Sequence, residues 1–214
     1  MTTTQWVPMG ETWPLAESWS RELSAESRPG ILAWLDLLAT WNARIDLTAA
    51  RSPEELVDLM LADACTLAAR VPRDASVVDV GAGAGAPGLA LWLMRPDLHV
   101  RLVEPLTKRV AFLRTVLGTV GGPALTLERG RGEDVTRRGD KFDVAISRAT
   151  LAPSAWLELG ARLVREGGSV WVLLARESAP TRAGATIAED VSYTWPNTGA
   201  MRRAVRYVID EPGA

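Results

Sequence analysis

Cysteine and histidine are almost missing: the 214 residues hold one of each, Cys65 and His99. A single cysteine excludes an intramolecular disulfide. With no second His or Cys near either of them, no metal is expected, and Cys65, on an apolar helix face, reads as a small core residue. No apolar run approaches the roughly 18 residues that a membrane-spanning helix needs, so no membrane partner is expected. The opening Met-Thr-Thr-Thr-Gln-Trp lacks both the basic segment and the apolar core that direct export, and the expected location is cytoplasmic. Repeats and low-complexity tracts are absent as well. Nor is positive charge in surplus: the formal net charge is −2, which argues mildly against a nucleic-acid partner.

What the chain does have is glycine in one place. Asp79 to Gly88 reads DVGAGAGAPG, after the apolar Ala75-Ser76-Val77-Val78 and before the helix-periodic Leu89-Ala90-Leu91-Trp92-Leu93-Met94. Strand, glycine turn and helix start in that order let a backbone pass close to a nucleotide-like ligand, because Gly81, Gly83 and Gly85 carry no Cβ. The G-x-G-x-x-G spacing of Gly83, Gly85 and Gly88 also fits a dinucleotide site, but two residues favour S-adenosylmethionine (SAM). Asp79 puts a carboxylate where a pyrophosphate gains nothing from it, whereas SAM carries a sulfonium and an ammonium and no phosphate. Pro87 removes a backbone donor that a phosphate would use.

The strands that follow place further polar groups. His99 to Val103 reads as a second strand with Glu104 at its carboxyl end, about twenty residues beyond the glycines, where a carboxylate accepts from ribose hydroxyls. Leu125 to Glu128 is a third, followed by Arg129-Gly130-Arg131-Gly132-Glu133-Asp134, a loop placed to meet an adenine edge. Lys141 to Arg148 is a fourth, and its polar tip, Ser147 and Arg148, should face the cleft, since ligands of open α/β sheets bind outside the carboxyl ends of the strands. A helix, a Gly167-Gly168 turn and a buried strand, Ser169 to Leu174, complete the pattern of a class I SAM-dependent methyltransferase, an α/β, Rossmann-like fold with a mostly parallel sheet.

Composition suits one such domain with a helical extension: 47% of residues are hydrophobic and 23% charged. Residues 1–30 read as irregular or briefly helical. Leu32, Leu35, Leu38 and Ala39 recur at helical spacing from Ile31 to Asn42. Pro53 begins a second helix that carries Leu56, Leu59, Met60 and Cys65. The expected division is an N-terminal helical extension over residues 1–70 and a SAM-binding domain over residues 71–214. Val191 to Tyr193 and Ala204 to Ile209 alternate like the two strands of an antiparallel C-terminal hairpin.

With these pieces placed, the chain resembles a known family from about residue 30 to residue 209. Trp41-Asn42-Ala43-Arg44-Ile45-Asp46-Leu47-Thr48-Ala49, DVGAGAGAPG, Arg95-Pro96-Asp97, Lys108-Arg109-Val110-Ala111-Phe112-Leu113-Arg114, Ile146-Ser147-Arg148-Ala149 and Glu166-Gly167-Gly168 are similar to the bacterial 16S ribosomal RNA methyltransferase G family, also called glucose-inhibited division protein B. The resemblance implies methylation of N7 of one guanine in 16S rRNA, with the small ribosomal subunit as partner. It also implies that Gly81 and Ala86 line the methionine and adenosine side of SAM, that Glu104 holds the ribose and Gly132 and Glu133 the adenine, and that Arg148 stands at the reaction mouth. The chain departs from the family pattern at Asp46 (Asn in the family), Met60 (His), Ala64 (Ser) and Leu174 or Ala175 (Lys). Those departures leave two other readings open: the same fold acting on another acceptor, such as a small metabolite, and a SAM-binding protein without turnover.

Guanine N7 carries an in-plane lone pair, so its methylation requires no general base, only alignment. Arg148 can hydrogen-bond guanine O6; its plainer use is an ion pair with Glu104, Asp143 or another carboxylate. Lys108, Arg109 and Arg114 share one helix, Arg137, Arg138 and Lys141 cluster in a loop, and Arg202, Arg203 and Arg206 flank the last strand; each group is a candidate phosphate-binding face or simply a solvated one. Of the nine tryptophans, Trp34, Trp41, Trp92, Trp156 and Trp171 fall at core-facing positions, while Trp6, Trp13, Trp19 and Trp195 lie where a base could stack or a core could use them.

Overall fold

The valines before the glycines form β1 (Ser76–Val80), where Val77, Val78, Asp79 and Val80 are all buried, as a central strand covered on both faces must be. The structure, a computed structural model, describes residues 6–15, 19 and 23–210, so part of the expected irregular stretch over residues 1–30 lies outside the described residues. Six further strands join β1: β2 (His99–Glu104), β3 (Leu125–Arg129), β4 (Phe142–Ser147), β5 (Val164–Leu174), β6 (Ala185–Thr194) and β7 (Met201–Ile209). Their order is β3-β2-β1-β4-β5-β7-β6. The strands β1 to β5 run parallel, and β7 pairs antiparallel with both β5 and β6. The order reverses between β1 and β4, and the crevice outside their carboxyl ends is where such sheets hold ligands.

Period-two alternation sends successive side chains to opposite faces. Val77 packs with α1 (Ser27–Asn42), α2 (Pro53–Ala68), α3 (Gly88–Met94) and α4 (Thr107–Val120), whereas Val78 and Val80 pack with α5 (Gly132–Arg137) and α6 (Pro153–Leu163). The helix α2 starts where Ser52 caps it, accepting from the Glu55 N–H at 3.2 Å, with Pro53 at the first helical position and Glu55 reaching back to the Arg51 N–H. Trp34 and Trp171 are wholly buried, and Trp13, Trp19 and Trp195 also lie in the core, so none of these last three offers a face for a base.

Two elements differ from the sequence expectation. The glycines at 167 and 168 do not separate helix from strand. The strand β5 already begins at Val164, and residues 165–168 bulge out between the pairings Phe142↔Val164 and Val144↔Ser169, with Gly167 at φ +72°. The hairpin strands are longer than the apolar alternation suggested, because charged pairs such as Asp190 with Arg203 extend the ladder.

Candidate active site

The glycine turn is held in shape by side chains from behind it. Asp79 Oδ2 accepts from the Gly88 N–H at 2.8 Å, Glu104 Oε2 from the Gly83 N–H at 2.9 Å, and the Ala84 carbonyl accepts from the Trp34 indole at 2.9 Å. The N–H groups of Gly81 and Ala82 both donate to the Val103 carbonyl, and that of Gly85 to the Ala82 carbonyl. Five backbone donors of the turn are thus spent inside the protein, and Pro87 has none. A phosphate cradle needs those donors free, so this turn is shaped for a ligand without a phosphate at that point.

A cavity of 480 Å³ opens over the turn, lined by Gly81, Gly83, Ala86, Glu104, Arg109 and Arg148 and roofed by Leu47, Thr48 and Ala49 from the α1–α2 connection. Gly81 and Gly83 adopt φ +75° and +59°, and a Cβ on Gly83 would meet only the Gly81 carbonyl, at 3.7 Å, leaving its outer face open. Glu104 is buried and uses its second oxygen to accept from the Leu106 N–H at 2.9 Å. Each carboxylate oxygen retains a lone pair for a hydroxyl from the cavity. Gly132 and Glu133 line a smaller cavity of 190 Å³, which shares Gly81, Pro105 and Thr150 with the first.

Beyond Arg148 lies a third cavity, of 250 Å³, bounded by the ends of β4 and β5, by α2 and by the hairpin; Leu59, Arg148 and Ala149 belong to its wall and to that of the 480 Å³ cavity alike. Arg148 Nη1 donates to the Leu59 carbonyl and, at 3.2 Å, to Asp63 Oδ2. The Tyr193 hydroxyl donates to the other oxygen of Asp63. Burial, with the Asp63 charge next in weight, pushes the Tyr193 phenol far up, so the hydroxyl keeps its proton and remains a donor. The Arg202 guanidinium lies 4.1 Å from the Trp195 ring centre at the same rim.

Gly81, Gly83, Ala86, Glu104 and Arg148 are therefore brought to one cavity, with Gly132 and Glu133 adjoining it. Asp79 and Gly85 are not at the cavity. Asp79 is wholly buried beneath the turn, and a Cβ on Gly85 would stand 2.8 Å from Leu89 and 3.1 Å from Trp34, so Gly85 serves packing. Ser147 is buried and donates its hydroxyl to the Val80 carbonyl at 2.7 Å, a tie between β4 and β1. Arg148 does make an ion pair, but with Asp63 rather than with Glu104 or Asp143. Asp63, Thr150 and the place of Tyr193 in a cavity wall escaped the sequence reading. The signal for Asp63 was present, since a carboxylate inside the apolar stretch Leu61-Ala62-Asp63-Ala64-Cys65 has no reason to be buried without a partner.

The basic clusters are largely neutralised by acids. Arg137 pairs with Asp134, Arg138 with Glu128 at 2.8 Å, Arg203 with Asp190 and Arg206 with Glu189 at 2.8 Å, while Lys141 donates to the Arg162 carbonyl. Where the resembling family has His, Met60 lines the 480 Å³ cavity, and where it has Lys, Leu174 and Ala175 line the third. Among the described residues no cluster of metal-binding side chains forms, and no helix is long and apolar enough to cross a membrane.

The family model for rRNA small subunit methyltransferase G matches residues 28–193. Ribosomal RNA small subunit methyltransferase G of Methylobacillus flagellatus is 34% identical, over 86% of this chain and 90% of that protein. Its counterpart in Chromohalobacter salexigens is 35% identical, over 86% and 89%. Among solved structures, TrmN from Thermus thermophilus superposes with a TM-score of 0.51 at 18% identity, over 69% of this chain and 47% of that one, which is a likeness of fold.

Proposed function

The chain belongs to the rRNA small subunit methyltransferase G family, and from that premise we propose that it transfers the methyl group of SAM to N7 of a guanine in 16S rRNA. The observation that carries this reading is the wall formed by Leu59, Arg148 and Ala149, which places a cofactor-sized cavity and an acceptor-sized cavity back to back. The fit to SAM rests on the spent amides of the turn, the open face of Gly83 and the remaining lone pairs of Glu104.

Bound there, SAM supplies an electrophilic methyl group on a sulfonium. Glu104 takes the ribose hydroxyls, Gly81, Gly83 and Ala86 let the methionine and adenosine portions lie against the backbone, and Gly132 and Glu133 border the adenine. We assign residues 71–214 to this SAM-binding domain and residues 1–70 to a helical extension that supplies the roof, Leu47 to Ala49, and the Asp63 partner of Arg148. Guanine N7 presents its lone pair without losing a proton, so no side chain has to act as a base, and the Met60 and Ala175 replacements leave the chemistry possible. Arg148 donates to O6, which guanine has and adenine lacks. Ser147 fixes the end of β4 so that Arg148 projects into the wall.

The test is incubation with methyl-labelled SAM and small ribosomal subunits that lack the modification. The expected product is labelled 7-methylguanosine at one site. SAM binding without a labelled base would favour another acceptor, to which the neutralised basic clusters point, or a SAM-binding protein without turnover, and labelling trials on small molecules separate these two.

A further inference from the structure

We propose that the 250 Å³ cavity between β4, β5 and the hairpin seats the extruded guanine, and that Asp63, acting through Arg148, keeps that seat free of net positive charge while the purine becomes cationic. The inference rests on the guanine-N7 reading above and concerns how that site manages charge.

The balance of the reaction sets the requirement. The N7 lone pair forms the new N–C bond, the C–S bond breaks with its electron pair going to sulfur, and the positive charge passes from the sulfonium to the purine. Nothing is protonated, oxidised or reduced. A guanidinium that donates to O6 recognises guanine but opposes that charge, and the opposition is strong where water is excluded. The cavity resolves the conflict with a carboxylate. Asp63 has only 4% of its side chain exposed and lies 3.2 Å from Arg148 Nη1. Among the described residues Nη1 makes both hydrogen bonds of Arg148, to Asp63 and to the Leu59 carbonyl, which leaves Nε and Nη2 to donate to a base. Tyr193, held protonated, donates to Asp63 and fixes the carboxylate beside the guanidinium. The second cation on the wall, Arg202, lies over the Trp195 ring, and a carboxylate shares the wall with it. Glu177 also lines the cavity, and its carboxyl is held below the usual range, first by backbone donors that include the Ala175 and Arg176 N–H groups and last by the Arg202 charge. A surface made to hold phosphates would leave such cations uncompensated. An extruded base needs a neutral, partly aromatic seat, and Tyr193 and Trp156 line this one.

Asp63 is thus a positioning residue, and its test reads charge preference as well as rate. Guanosine and 7-methylguanosine are titrated by NMR into the protein saturated with S-adenosylhomocysteine, at mildly acidic pH where the methylated base is cationic. Wild type is expected to prefer 7-methylguanosine. Asp63→Asn, which keeps an acceptor but removes the charge, should lose that preference and lower kcat on ribosomal subunits on the order of 10²-fold, with SAM affinity little changed. Tyr193→Phe, which removes one hydrogen bond and no charge, should keep the preference. If Asp63→Asn does not fold, the neutral pair Asp63→Asn with Arg148→Gln carries the test and should also keep it. Equal weakening of both nucleosides in Asp63→Asn, no binding of either to wild type, or loss of preference in the neutral pair would overturn the inference. Wild type that prefers the methylated nucleoside yet leaves ribosomal subunits unlabelled would support the seat and refute the ribosomal acceptor.

Discussion

Asp79 is the residue whose sequence position and structural job differ most. It stands two residues before the first glycine of the turn, where a carboxylate reads as a ligand, yet it is wholly buried and holds Gly88 from beneath. Burial pushes its carboxyl from 3.8 up to about 7, against the opposing pull of the Gly88 N–H and of the Arg148 charge, while Glu104 adds to the rise. A folded-state value above the unfolded one means that the folded state holds the proton more tightly. The contribution to stability is therefore fully present below about pH 4 and is lost as pH rises to 7, a span worth about 4 kcal/mol as an upper figure. Asp79→Asn should remove this dependence: the stability of wild type relative to the variant, from urea unfolding, should fall between pH 4.5 and 7.5, and parallel curves would refute the assignment. The glycines separate in the same way. Gly83→Asp should abolish SAM binding in calorimetry while the protein stays folded, because the new side chain enters the open face of the turn. Gly85→Ala should cost about 2 kcal/mol of stability, through strain at φ +109° and contact with Leu89 and Trp34, and leave SAM affinity of the folded protein unchanged. The motif D-x-G-x-G-x-G points to a ligand-binding turn without saying which members line the cavity, since that depends on strand twist and on what packs below.

At the level of elements, the hairpin is joined to the cleft by one helix. Asp58, wholly buried on α2, accepts from the backbone and side chains of Asn197 and Thr198 at the turn between β6 and β7, and one helical stretch further on Asp63 accepts from Tyr193. Two residues beyond the end of that helix, Arg70 pairs with Glu189 of β6. The helix α2 thus holds the far edge of the sheet against the 250 Å³ cavity. Asp58→Ala removes a wholly buried carboxylate, leaves the Asn197 and Thr198 N–H groups without that acceptor and should destabilise the protein by about 2 kcal/mol. Its signature should be local: amide hydrogen exchange at Asn197 and Thr198 should accelerate more than in β1, and uniform acceleration would mean that the tie only supports global stability. The strands and most helices were legible, because their apolar periodicities are local properties. The clamp was not. It joins residues some 140 positions apart in sequence (Asp58 to Thr198), and from the sequence the only trace of it is Asp58 and Asp63 set among the apolar residues that follow the first turn of the helix.

At the level of the whole molecule, the distribution of charge constrains how RNA could be held. Three basic clusters stand out in the sequence, and two of them, around Arg137 and Arg203, turn out to be paired with acids of the same surface. The helix α4 differs: Lys108, Arg109 and Arg114 are carried on a helix whose first turn has no acidic residue, and Arg109 borders the 480 Å³ cavity. A net charge of −2 and internally paired arginines imply few phosphate contacts. Each contact contributes roughly −0.7 on single strands to −0.9 on duplex to the slope of log K against log salt, so a protein that neutralises only a few phosphates should show a slope no steeper than about −4 on small ribosomal subunits. Lys108→Ala with Arg114→Ala should make it shallower by about 1 to 2 without altering SAM affinity, whereas Arg137→Ala should change neither. Filter-binding titrations at constant magnesium across a range of potassium chloride decide the matter. A slope near −10, or an equal effect of Arg137→Ala, would mean that the intramolecular ion pairs open on the ribosome and that the acids which close them in the free protein act as a gate on RNA binding.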